Sequence, residues 1–232
     1  KEARKVVKEK NNFAIAEEVT VKGENTKRPD IVLYINGIAT CVIELKRSTV
    51  GLTEGIRQNL LNQRKDFIRP FFTTMQLVMA CNDSQGLRYG TIETREKYYL
   101  EWKEEGGIGA YKLDQHLSLI FEKHRLLELI HDFIVFDAGI KKICRQNQYF
   151  GIKKAKFKFD EVLLKVPIIK NFLLDADLSR FTSSLSLLRM GNVSILNALK
   201  ISSDTISNSF LRHSIIKASS KVGEGESCLL YT

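Results

Sequence analysis

The stretch RPDIVLYINGIATCVIELK, residues 28–46, decides the fold. Two β-rich runs, Asp30–Ile35 and Ile38–Leu45, flank Asn36-Gly37, a dipeptide that tolerates left-handed backbone and is the strongest short-range hairpin signal. Side chains alternate along a strand, so Glu44 and Lys46 share a face. Whether Asp30 joins them depends on the turn. A two-residue loop pairs Asp30 with Ile43 and aims its carboxylate away from Glu44. A three-residue loop, Ile35-Asn36-Gly37 with Gly37 left-handed, pairs Asp30 with Val42 and gathers Asp30, Glu44 and Lys46 on one face. Ile31, Leu33, Cys41, Ile43 and Leu45 then form a uniformly apolar opposite face, and that separation favours the three-residue loop.

Around the hairpin the pattern is mixed. Phe13–Val21 alternates as a strand does. Leu52, Ile56, Leu60 and Phe67 recur at helical spacing, which predicts an amphipathic helix over 53–68 with Pro70 beyond its end. Gln76–Cys81 reads as a buried strand, Asn82–Gly86 as a polar turn and Arg88–Thr91 as a neighbouring strand. Glu101–Gly109, around Trp102, is charged and glycine-containing and reads as a surface loop. Dense apolar residues from Leu113 to Phe136 predict two helices that break near His124, and Lys141–Lys156 reads as another. This order of strand, hairpin, helix, strand and helices indicates an α/β layer fold. It divides into a core over 1–112, a helical link over 113–156 and an unassigned, mostly helical segment over 157–232.

The formal charge of +9 favours a polyanionic partner such as nucleic acid. Apolar stretches such as Ile31–Ile35 and Gln76–Cys81 fall well short of the roughly 20 residues of a membrane helix, so no membrane association is expected. Cys41, Cys81, Cys144 and Cys228 are far apart, with no C-x-x-C pair and no histidine at ligand spacing. Neither a disulfide framework nor a zinc site is indicated, and a reducing, cytoplasmic setting is expected.

Two carboxylates and a lysine on one face are a sufficient minimum for phosphodiester hydrolysis. Oxygen ligands suit magnesium, the cation polarises the phosphate and acidifies a water, and an ammonium group positions that water. Asp30, Glu44 and Lys46 supply this set. Gln58 and Asn62, one helical turn apart, project away from the Leu52, Ile56, Leu60 stripe and are candidates to orient a phosphate or water. Arg47, Arg57, Arg64, Lys65 and Arg69 lie in the same stretch as candidate contacts to the DNA backbone.

Residues 28–46 resemble the nuclease core of the restriction (motor) subunit of type I restriction-modification enzymes, with its PD-(D/E)xK motif. EGIRQNLLNQ (54–63) is similar to the helix after that motif, LVMACNDSQGLRYGTIET (77–94) to the next strands, and HRLLELIHDFIVFDAGIKKICRQNQYFGIKKA (124–155) to the link into the family's ATP-driven motor. The resemblance implies a restriction-endonuclease-like mixed sheet flanked by helices, followed by a helical C-terminal portion. It implies magnesium ligation by Asp30 and Glu44, with Lys46 assisting the attacking water. Gln58 matches the glutamine of the family's Q-x-x-x-Y motif, and Asn62 stands at its tyrosine position. The family's upstream acidic residue corresponds by position to Glu17 or Glu18. Gln148 falls in the segment that precedes the motor, yet no G-x-x-x-x-G-K-[ST] phosphate loop occurs here, so ATP is expected only with a motor elsewhere in a full-length subunit. The implied partners are double-stranded DNA and the specificity and methylation subunits. A non-catalytic nucleic-acid-binding or subunit-interaction module is the alternative reading.

Overall fold

The computed structural model describes residues 11–223. The chain forms two compact units that divide between Tyr149 and Phe150. The first is built on a mixed six-stranded sheet in sequential order: β1 (Phe13–Glu17), β2 (Ile31–Ile35), β3 (Ile38–Leu45), β4 (Leu77–Asn82), β5 (Gly86–Gly90) and β6 (Leu100–Glu101). Only β3 and β4 run parallel, and the crossover between them carries helix α1 (Leu52–Asn62) and a 3-10 turn at Arg69–Thr73. Helices α2 (Lys112–Ile120) and α3 (Lys123–Asp132) follow, then a separate hairpin of β7 (Ile134–Asp137) and β8 (Ile140–Ile143), then α4 (Gln146–Leu163).

The β2–β3 hairpin departs from expectation in its turn. Ile35 pairs with Ile38, so the loop has two residues, and Asn36 (φ 54°) and Gly37 (φ 79°) both take left-handed backbone. The extra residue lies within β3. The register passes from Tyr34 opposite Ala39 to Leu33 opposite Cys41, leaving Thr40 as a bulge. The bulged residue is held from both sides, because the Thr40 carbonyl accepts from Gln76 N at 2.7 Å and its hydroxyl donates to the Leu33 carbonyl at 3.3 Å. One inserted residue restores the parity that the turn alone would have lost, and Asp30, Glu44 and Lys46 do share a face.

The separation into a chemical and an apolar face needs correction. On the Glu44 face Val32, Val42 and Val78 pack with Ile68, Phe72 and Met75 into a core cluster, whereas Leu45, on the other face, is exposed. The sheet is therefore buried on both sides, and the chemistry occupies one end of an otherwise apolar face. The expected helix over 53–68 stops at Asn62. Turns then fold the chain back, which lets Ile68 and Phe72 reach the core beside Val32 and Val42. β1 ends at Glu17, since Glu18 adopts φ 51°.

Two further expectations give way. Residues 134–143, where one helix is expected to end at Phe136 and another to begin at Lys141, form a hairpin: Ala138 (φ 49°) and Gly139 (φ 81°) make a two-residue turn between strands that each carry β-branched residues. Trp102 is fully buried, not a surface-loop side chain. It contacts the Tyr149 ring at 5.5 Å between centroids, the Arg125 guanidinium lies over its face at 5.5 Å, and Arg125 itself donates to Glu104 at 2.6 Å. The indole thus anchors its charged segment to α3 and α4.

In the second unit the rest of α4 is followed by α5 (Pro167–Met190), α6 (Ile195–Ser203) and α7 (Ser209–Gly223), the helical C-terminal portion that the sequence leads one to expect. Buried Asp177 accepts from the amides of Ser207 and Asn208 at 3.0 and 2.9 Å, and Asp160 accepts from Ser209 N at 2.7 Å. Two carboxylates thereby satisfy amides at the start of α7, where carboxylates are favoured. No described helix is long and apolar enough to cross a membrane.

Candidate active site

Strand β3 carries Glu44, Lys46 follows its end with its amide donating to the Cys81 carbonyl at 2.8 Å, and the pairing of Ile31 with Ile43 sets Asp30 across from Glu44. Asp30 Oδ2 accepts from Leu45 N at 2.7 Å, so the carboxylate is tied to the strand that carries the glutamate. Glu44 is 1% exposed. Its Oε1 lies 3.3 Å from Lys46 Nζ, and its Oε2 is buried without a hydrogen-bond partner. Burial, then the neighbouring Asp30 charge, push the Glu44 carboxyl up to about 7, against the opposing pull of Lys46. Lys46 Nζ also donates to Gln58 Oε1 at 2.7 Å. The ammonium thus bridges a strand carboxylate and a helix amide. The structure brings Asp30, Glu44, Lys46 and Gln58 together.

Helix α1 reaches this close because residue 55 is glycine. A Cβ there would stand 3.0 Å from Ala80 Cβ and 3.3 Å from Lys46 Cγ. The buried side of α1 is Leu52, Gly55, Ile56, Asn59 and Asn62, so its second half turns polar amides toward the sheet. Sequence periodicity missed this, reading Leu60 and Phe67 as the continuing stripe. The overlooked signal was Gly55 itself, an interior helical glycine that costs stability unless something must approach closely.

The upstream acids do not join the site. Glu17 pairs with Ile31, which puts it on the face away from Glu44, and Glu18 forms an ion pair with Arg28. Among the described residues no group of three or more His, Cys, Asp or Glu could hold a metal. The carboxylates available here are Asp30 and Glu44. Both offer hard oxygens, and the orphaned Oε2 of Glu44 is an acceptor still lacking a donor or a cation, so the set fits magnesium.

The five cations divide. Arg57 is held by Glu54 at 3.0 Å and Glu96 at 2.9 Å, Arg64 by Asp66 at 3.0 Å and Arg69 by Glu93 at 2.5 Å. Arg47 and Lys65 are exposed and form no ion pair among the described residues. Gln148 uses its Oε1 locally, accepting from Arg145 N at 2.8 Å.

Residues 5–97 match the family described as Type I restriction enzyme R protein N terminus. The chain is 32% identical over 160 residues to the putative type I restriction enzyme MjaVIIIP endonuclease subunit of Methanocaldococcus jannaschii, covering 63% of this chain and 15% of that protein. It is 31% identical over 173 residues to the MjaVIIP endonuclease subunit of the same organism, covering 67% and 16%. The chain therefore spans about a sixth of the length of these relatives. The chain is also 32% identical over 80 residues to the type II secretion system protein F of Pseudomonas aeruginosa, covering 34% of this chain and 20% of that protein.

Proposed function

Since the N-terminal part of this chain belongs to the type I restriction enzyme R protein N-terminal family, we propose that it is a magnesium-dependent endonuclease domain that hydrolyses DNA phosphodiester bonds without sequence preference. The observation that carries the reading is Lys46 Nζ, held between Glu44 and Gln58 on the face that also presents Asp30. Asp30 and Glu44 would hold the cation. When bound, magnesium polarises the phosphate and makes an attacking water more acidic. Lys46 Nζ positions that water beside the phosphate, and Gln58 fixes the lysine by accepting its hydrogen bond. Leu45 N keeps Asp30 turned toward the same point. Burial of Glu44 strengthens each of these contacts, because charges attract more strongly away from water.

The basic residues without carboxylate partners, Arg47 and Lys65, would meet the phosphate backbone, which carries no sequence information. Recognition and modification would then belong to specificity and methylation subunits, and translocation to an ATP-consuming motor in a full-length R protein. The test is nicking of supercoiled plasmid by the purified chain with magnesium or with chelator. Asp30→Ala, Glu44→Ala and Lys46→Ala are each expected to abolish it while leaving the fold intact. Wild-type cleavage by Glu44→Ala would refute the assignment.

The match to protein F suggests a second reading, on length alone. Its 80 residues are close to the extent of Phe150–Thr232, and we infer that this helical unit is related to protein F and is not the start of a motor. Aligning a corresponding fragment of protein F by its own structure would test this: helices of the lengths of α5, α6 and α7 in another order would refute it.

A further inference from the structure

Asn62 is 2% exposed, its Oδ1 is buried without a hydrogen-bond partner, and its side chain forms no hydrogen bond among the described residues. A buried amide left unpaired destabilises a fold, and an apolar side chain of similar shape would serve the packing better. The neighbouring Asn59 also buries its Oδ1 without a partner, but its Nδ2 donates to the Met79 carbonyl at 2.8 Å and so ties α1 to β4. Asn62 does nothing comparable for the fold.

What it can reach follows from helical spacing. Residues four apart stand one above the other on a helix, within reach of a Gln-to-Asn side-chain hydrogen bond. Four residues before Asn62 is Gln58, whose Oε1 accepts from Lys46 Nζ at 2.7 Å. With Oε1 engaged, the Gln58 Nε2 group is a donor aimed elsewhere, and Asn62 Oδ1 is an acceptor that lacks one. Resting on the nuclease reading above, we propose that Asn62 is a positioning residue: in the cleavage-competent site its Oδ1 accepts from Gln58 Nε2, completing a chain Asn62–Gln58–Lys46 that fixes the ammonium beside Glu44. Gln58 alone can swing about its side-chain torsions. Anchored at both ends of its amide, it cannot, and the lysine is held where the water must sit.

The full chain is compared as wild type, Asn62→Leu, Asn62→Ala and Asn62→Asp. Asn62→Leu keeps the branched shape without an acceptor, and Asn62→Asp keeps the acceptor oxygen. Cleavage of supercoiled plasmid in magnesium is followed together with the side-chain amide signal of Gln58 in protein labelled with 15N-glutamine. Asn62→Leu is expected to melt no lower than wild type, to bind plasmid with unchanged KM and to cleave with kcat reduced about tenfold, the worth of one lost hydrogen bond. Its Gln58 amide protons should exchange faster with solvent, and Asn62→Asp should recover both slow exchange and most of the rate. Should leucine prevent folding, Asn62→Ala carries the same two readouts. An unchanged kcat in the acceptor-free variants, or a Gln58 amide signal indifferent to residue 62, would overturn the proposal. Absence of magnesium-dependent cleavage by the wild type would instead sink the nuclease reading, and the amide signal would still decide whether Asn62 anchors Gln58.

Discussion

Gly55→Ala is the substitution in which two opposing effects of known size meet at the candidate site. In an exposed helix interior the change stabilises by roughly 1 kcal/mol, because alanine has the higher helix propensity. Here the added Cβ would lie 3.0 Å from Ala80 Cβ and 3.3 Å from Lys46 Cγ, with the Glu44 carbonyl at 3.7 Å. Carbon atoms prefer about 3.5–4.0 Å, so α1 must lift from β3 and β4 by about half an ångström or more. Overpacking of this kind costs about 1–3 kcal/mol. The propensity gain offsets part of it, leaving a net loss of up to about 2 kcal/mol. The displacement falls on Gln58 and Lys46, whose contact is 2.7 Å, and misplacement on the order of 1 Å can cost about 100-fold in rate. Urea denaturation gives the stability and magnesium-dependent plasmid nicking gives the rate. Ala80→Gly, which removes the opposing methyl, should restore much of the activity in the double variant even though each single change is harmful. A Gly55→Ala protein about 1 kcal/mol more stable than wild type and equally active would refute the claim that glycine seats α1 on the site.

Three further outcomes follow from other parts of the first unit. Reversing Arg47 and Lys65 to glutamate should weaken DNA binding equally for unrelated sequences and flatten its salt dependence by about one unit of slope per lost phosphate contact; reversing Arg57 or Arg64, already held by carboxylates, should do less, and a change in sequence preference would argue for base readout instead. Buried His116 accepts from Leu87 N at 3.2 Å through Nδ1, and burial, then Lys112, hold its pKa below the ordinary 6.5. The neutral ring therefore contributes stability that is fully present above pH 6.5 and lost as pH falls through the lower folded-state value, so melting temperatures at pH 7.5 and 5.5 should differ more in wild type than in His116→Asn, and equal differences would exclude this role. Calorimetry should show weak magnesium binding that Asp30→Asn weakens further, because the two carboxylates repel until a cation joins them, and no binding of ATP; clear ATP binding would reveal a nucleotide site in the helical unit.

The shared face of the candidate site was legible in the sequence because it depends on parity, and the details were not because they depend on location. Alternation along β3 puts Glu44 and Lys46 together whatever the turn does, and Asp30 joins them if the hairpin holds one residue beyond a two-residue loop. The sequence demands that residue without saying where it sits. Asn36-Gly37 satisfies a two-residue turn by itself, and Thr40 takes the bulge because its carbonyl is drawn to Gln76 N, a contact 36 positions along the chain that no local pattern contains. The same limit explains the hairpin at 134–143, since a run of β-branched and aromatic residues suits either periodicity until Ala138-Gly139 is recognised as a turn. It explains α1 as well. Leu52 and Ile56 announce an apolar stripe, and the stripe then continues as Asn59 and Asn62, polar residues that no hydrophobic pattern marks as buried. Hydrophobic patterning locates a helix by what it removes from water. It is silent about polar side chains on a buried face, so the half of α1 that buries Asn59 and Asn62 was misread, while Gly55 and Gln58, the residues of α1 that approach Lys46, carry no apolar signal at all.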